Sequence, residues 1–147
     1  MLAIRVHQLG GPEVLQLDDI PVPSPDRGQL RIRVEAAGVN FIDTYLRTGL
    51  YKVGLPFLPG MEAAGVVTAV GEGVSGFHLG DRVATTHAIG AYAAETLVPA
   101  DKAMAIPAGL DTRTAAALLS QGLTAHFLAT DTFPLKAGDS ALVHAAA

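Results

Sequence analysis

Cysteine is absent from the 147 residues. This removes disulfides, thiolate nucleophiles and every cysteine-based metal site, and it fits a cytoplasmic protein. Charge is scarce: 16% of residues are charged, the net charge is -4 and no basic cluster stands out. That argues against nucleic acid as a partner. Long apolar runs are missing, because Gly, Pro or charge interrupts each before a bilayer-spanning length, so no membrane is expected as a partner. The start, Met1-Leu2-Ala3-Ile4-Arg5-Val6, lacks the charged region and apolar stretch of a signal peptide. No Gly-x-Ser-x-Gly element occurs, so a serine-nucleophile elbow is excluded. His7, His78, His87, His126 and His144 show no spacing that suggests a metal pair. Internal repeats and low-complexity tracts are missing too.

What remains is apolar and rich in turns. Half of the residues are hydrophobic, enough for a real core at this length, and disorder is not expected. The 16 glycines and 9 prolines suit a β-rich fold with many turns. Residues 2–7 alternate as a strand, Gly10-Gly11-Pro12 turns, and residues 13–19 return. Ile20 to Pro25 is too proline-rich for a central strand. Gln29 to Ala37 is the clearest strand, with Leu30, Ile32, Val34 and Ala36 on one face and Arg31, Arg33 and Glu35 on a solvated one. Asn40 to Thr48 reads as a short helix stopped by Gly49. Further strands are expected at 66–70, 82–84, 92–98 and 103–106, with a tight turn of positive φ at Gly80-Asp81.

The pattern changes near residue 110. Asp111 is a good N-cap for a helix over Thr112 to Leu119, Ser120-Gln121-Gly122 interrupts it, and Leu123 to Thr130 forms a second helix. Leu142 to Ala147 then reads as a buried parallel strand after the turn Lys136-Ala137-Gly138-Asp139. In a dinucleotide-binding unit a glycine-rich turn and a helix follow such a strand at once.

Four stretches together resemble the zinc-independent quinone oxidoreductases of the medium-chain dehydrogenase/reductase superfamily. They are Gly10-Gly11-Pro12-Glu13-Val14-Leu15, Ala36 through Asn40-Phe41-Ile42-Asp43-Thr44-Tyr45 to Tyr51, Pro59-Gly60-Met61-Glu62 through Gly80-Asp81-Arg82, and Leu119-Ser120-Gln121-Gly122-Leu123-Thr124-Ala125-His126. The resemblance implies a mainly β, α+β fold. A GroES-like catalytic domain would span 1–110, and 111–147 would hold connecting helices and the first strand of an incomplete, truncated Rossmann domain. It implies NADPH as cofactor and hydride transfer to a quinone, with both rings in the cleft between the domains. It also implies that most of the NADPH seat lies outside these residues, so the isolated chain is expected to be inactive.

Zinc-dependent relatives place Cys at the position of Asn40 and His at that of Met61. An amide and a thioether do not replace a thiolate and an imidazole around zinc, so no metal is expected. Hydride transfer to a quinone then needs only aligned rings and stabilisation of a phenolate-like oxygen. Asn40 and Tyr45 are the catalytic candidates, both able to face one cleft from a short helix. Read alone, Asn40 is more readily a helix cap and Tyr45 more readily a residue packed on the barrel, and the resemblance reverses that order. The resemblance sets Asn40, Phe41, Ile42, Asp43, Thr44 and Tyr45 beside the nicotinamide and adds Gln121 and Thr124 near its carboxamide. Tyr51 either closes the same pocket or covers a loop. Asp43 reads as structural, and Glu62 as a buried, paired carboxylate stabilising the Gly60 turn.

Two other readings stay open. One is reduction of an activated carbon–carbon double bond by an enoyl- or alkenal-type reductase. The other is a stand-alone GroES-like binding module. Apolar faces beyond Thr114 are expected to cause self-association or homodimer formation.

Overall fold

The computed structural model describes residues 1–144, and the alternation along Gln29–Ala37 builds its central strand, β3. Every other side chain of a strand points the same way, and Leu30 and Ile32 are completely buried on the core side. β3 pairs antiparallel with β4 (Ala63–Val70) on one flank and β6 (Glu95–Pro99) on the other. β5 (Arg82–Thr85) and the two-residue β7 (Met104–Ala105) complete a sheet of order β6-β3-β4-β5-β7. A separate hairpin, β1 (Leu2–Val6) with β2 (Leu15–Asp19), is tied to loop residues outside the sheet by isolated bridges of Ala3 with Ala93 and Val6 with Phe57. Among the described residues the protein is therefore mainly β with two α-helices, α1 (Phe41–Thr48) and α2 (Thr112–Phe127).

The two faces of the sheet differ. One carries the main core, Leu30, Ile32, Ala63, Val67, Val83, Ala88, Ala91 and Val98. Burying one such aliphatic side chain contributes about 1.5–3 kcal/mol. The other face presents Ala64 and Ala84 to Ala115 and Ala116 of α2. Alanines on both sides let the helix lie close against the sheet. Gly65 shows the same economy of space: a Cβ there would collide with the Arg33 carbonyl oxygen.

Several expectations need correction. Arg31 does not share a solvated face with Arg33; it donates to Thr68 Oγ1 at 3.1 Å and pairs with Glu95 at 2.8 Å. The 13–19 segment begins as a 3-10 turn, Pro12–Val14, before β2. The strand expected at 92–98 is shorter, because Tyr92 and Ala93 are drawn into bonds with Pro59, Ile4 and Ala3.

The largest difference is in the second half. Ser120-Gln121-Gly122 does not split the helix: α2 runs unbroken from Thr112 to Phe127 and continues as one π-type turn, Leu128–Thr132. Glycine costs a helix interior only about 1 kcal/mol, which the alanine contact of the first turns offsets. The strand expected over Leu142–Ala147 is not formed where it is described. Leu142 and Val143 are 83% and 70% exposed and belong to no strand. Such an apolar run has nothing to pair with among the described residues. Ala145, Ala146 and Ala147 lie outside them.

Candidate functional site

Asn40 marks the point where β3 ends and α1 begins. Its backbone is extended, and its N–H donates to Asp43 Oδ2 at 3.0 Å. Gly49 closes the helix in the left-handed conformation with φ of 83°, its N–H donating to Leu46 O. Arg47 fixes the far end by donating to the Gly10 carbonyl at 3.3 Å. A helix of two turns is thus held at both ends, as so short a helix must be.

The Asn40 side chain is spent elsewhere. Its Nδ2 donates to Glu62 Oε2 at 2.9 Å, and its Oδ1 accepts from Gln121 Nε2 at 3.3 Å. The second carboxylate oxygen of Glu62 accepts from the Ser120 backbone N–H at 2.7 Å. Glu62 is 1% exposed. The carboxylate expected to stabilise the Gly60 turn instead joins α1 to the middle of α2. Beside this network lies a cleft of about 290 Å³, lined among others by Gly38, Val39, Glu62, Arg113, Ala117 and Gln121.

A second group sits on α1 itself. The rings of Phe41 and Tyr45 stack with centroids 6.3 Å apart, and Tyr45 meets Tyr51 edge-on at 5.7 Å. Phe41 is 80% exposed and Tyr51 is exposed as well, so this is an open aromatic surface. Aromatic faces in such a cluster suit a planar ring of a ligand.

Asp43 is 6% exposed and accepts from the Tyr92 hydroxyl at 2.8 Å. Its carboxylate is therefore engaged within the fold rather than open to the cleft. Burial, and then this bond, hold the Tyr92 hydroxyl well above the usual tyrosine range. Ile42 and Thr44 are half-buried, and the Thr44 carbonyl accepts from Thr48 Oγ1. Thr124 is exposed one turn beyond Gln121.

The fold therefore brings Asn40 and Gln121 together from 81 residues apart. It brings Phe41, Tyr45 and Tyr51 together separately, and no hydrogen bond joins the two groups among the described residues. Sequence reasoning missed Tyr92, Arg113 and the Ser120 N–H. A backbone donor leaves no trace in residue identity, and Tyr92 had no motif around it. Among the described residues no group of three or more His, Asp or Glu stands close enough to hold a metal ion. No helix among them is long and apolar enough to cross a membrane.

An antiparallel sheet of this order with a capped helix after its central strand defines a class, and residues 26–108 match the family model described as Alcohol dehydrogenase GroES-like domain. The chain belongs to that family. It is 46% identical over 147 residues to a probable quinone oxidoreductase of Schizosaccharomyces pombe, covering 99% of this chain and 45% of the relative. It is 43% identical over 154 residues to a 2-haloacrylate reductase of Burkholderia sp, covering 100% and 46%. The solved structure of Escherichia coli quinone oxidoreductase complexed with NADPH superposes with a TM-score of 0.89 at 42% identity, over 92% of this chain and 42% of that one. The chain spans about half the length of the relatives it matches.

Proposed function

We propose that this chain forms the substrate-side wall of an NADPH-dependent quinone oxidoreductase that works without zinc. The observation that carries the reading is the pairing of the Asn40 and Gln121 amides beside one cleft. Two amides together offer donors and acceptors of the kind a carboxamide recognises, so the residues present fit the nicotinamide end of NADPH. NADPH supplies the hydride when bound. Asn40 and Gln121 would hold the nicotinamide carboxamide, with Thr124 one turn beyond. Phe41, Tyr45 and Tyr51 would stack against the acceptor ring, and the Tyr45 hydroxyl would donate to its developing oxygen. Ile42, Asp43 and Thr44 support the helix that carries them. Residues 1–110 would form the catalytic domain, and 111–147 the connection to a cofactor domain.

Zinc-independence is supported by the amide of Asn40 and the thioether of Met61 at the two positions in question. A cytoplasmic location fits a chain without cysteine. The apolar side chains exposed along α2, Leu118, Leu123 and Phe127, suit a further domain or a second copy of the chain.

The test is steady-state oxidation of NADPH by the whole protein with a small quinone, with and without a chelator. Turnover that survives chelation supports the reading, and turnover lost with the metal overturns it. The likeness to 2-haloacrylate reductase favours a second reading, reduction of an activated carbon–carbon double bond. Comparing kcat/KM for a quinone and for a 2-haloacrylate decides between the two.

A further inference from the structure

Glu62 is among the largest side chains that the fold buries completely. The proposed reaction gives it no role, yet it touches both helices of the cleft. Its place is also tightly shaped. A Cβ on Gly38 would collide with Glu62 Oε2, so position 38 leaves room for the carboxylate only while it is glycine.

The two Glu62 bonds have a consequence for Asn40. Oε1 faces the Ser120 N–H, which can only donate. Oε2 faces the Asn40 amide, and a carboxylate oxygen in that position draws the NH2 group rather than the carbonyl. An asparagine amide has two orientations, and its hydrogen-bond partners choose between them. With Nδ2 held inward by Glu62, Oδ1 is the atom turned towards Gln121 Nε2.

We propose that Glu62 is a positioning residue that locks the Asn40 amide with its oxygen towards Gln121 and the cleft, so that the site receives a hydrogen-bond donor from its ligand at that point. The orientation rests on this chain alone. The identity of the ligand rests on the function proposed above, in which the donor is the carboxamide NH2 of the nicotinamide. A quinone carbonyl is an acceptor and has no counterpart at Asn40 Oδ1. The polarising role expected of Asn40 and Tyr45 jointly is therefore divided: Asn40 serves the cofactor, and Tyr45 serves the quinone.

The polarity of the network can be inverted and restored. In Glu62→Gln, the new Nε2 donates to Asn40 Oδ1, the amide turns over, and a donor faces the cleft. In Glu62→Gln with Asn40→Asp, the introduced glutamine amide donates to the new carboxylate and still accepts from Ser120, and an acceptor faces the cleft again. Net charge is conserved in the pair.

The first measurement is side-chain amide NMR on the 147-residue chain. One Asn40 Nδ2 proton should exchange about tenfold more slowly than that of an exposed asparagine, with cross-peaks to the Glu62 methylenes. Glu62→Gln should abolish that slowing. Cross-peaks to Glu62 missing in the unaltered chain would overturn the proposal, and this arm needs no variant to fold.

The second is kinetics of the whole protein. Glu62→Gln should raise KM for NADPH by about tenfold while kcat stays within about twofold, and the double variant should recover most of the loss. A double variant as impaired as the single one would overturn the locked polarity. If the whole protein does not oxidise NADPH at all, the function reading fails, and the NMR arm decides on Glu62 by itself.

Discussion

The Tyr92 hydroxyl donates to the Asp43 carboxylate at 2.8 Å, joining the loop before β6 to the first turn of α1. The other Asp43 oxygen is buried with no partner among the described residues. Tyr92 therefore matters more than a single hydrogen bond suggests, because its loss leaves the carboxylate with only the Asn40 N–H.

Tyr92→Phe should destabilise the chain by about 1–3 kcal/mol, read by urea unfolding at neutral pH. The pH dependence follows from the raised tyrosine value. A group whose folded value lies above its unfolded one stabilises fully below the unfolded value of about 10 and loses that contribution as pH rises further. Stability should thus fall more steeply above about pH 10 in the unaltered chain than in Tyr92→Phe. Equal slopes in the two would contradict the assignment.

Ile32→Ala should cost about 2–5 kcal/mol, since Ile32 is completely buried where β3 meets both β4 and β6. The midpoint of chemical denaturation gives the value directly. A cost below about 1 kcal/mol would mean that the sheet collapses into the space.

Gly65→Ala and Gly122→Ala should act in opposite directions. At Gly65 the new methyl meets the Arg33 carbonyl oxygen, a backbone atom that moves only if β3 and β4 part. A loss of about 3 kcal/mol or failure to fold is expected. Gly122 lies in α2 with open space around it, so alanine there should stabilise by about 0.5–1 kcal/mol. Thermal melts of the two variants side by side make the comparison.

Asp111 caps α2. The Thr114 backbone N–H, and then its hydroxyl, hold the Asp111 carboxyl below the usual carboxylate range. A depressed carboxyl stabilises above its unfolded value of about 3.9 and loses that contribution as pH falls through the folded value. Helical far-UV signal should therefore decline on acidification below about pH 4, and Asp111→Ala should flatten this limb. An unchanged acid limb in the variant would remove Asp111 from the account.

In the whole protein, Tyr45→Phe should lower kcat by about tenfold and leave KM for NADPH within about twofold, because only the hydroxyl that faces the quinone is removed. A rise in KM for NADPH with kcat intact would instead move Tyr45 to the cofactor side.

Much of the fold is readable in the residues. The period-two alternation at 29–37 and the Asn40 and Gly49 boundaries of α1 are local signals; β3 follows its signal residue for residue, and α1 starts one residue later than expected, with Asn40 as its N-cap. The helix break suggested by Ser120-Gln121-Gly122 does not form because propensity there is weak, while the Ala64, Ala84, Ala115 and Ala116 contact is tertiary. Glu62 is legible as buried, but not its partners. Asn40 lies 22 residues before it and Ser120 58 residues after it, separations that no periodicity encodes. Arg31 looks like a surface residue in the sequence because its partners, Thr68 and Glu95, come from two other strands.

The way α2 is fastened has a mechanical outcome. Thr112 bonds Glu35 at 2.9 Å, Ala115 and Ala116 press on the sheet, and Ser120 reaches Glu62. From Gln121 to Thr132 every residue except Ala129 is exposed. The helix is a cantilever clamped along its first turns, and Gln121, bonded to Asn40 just past Ser120, is the last fixed rung. A load on the outer turns bears first on the Gln121–Asn40 bond and then on the bond to Glu62, and so on the direction in which the Asn40 amide points.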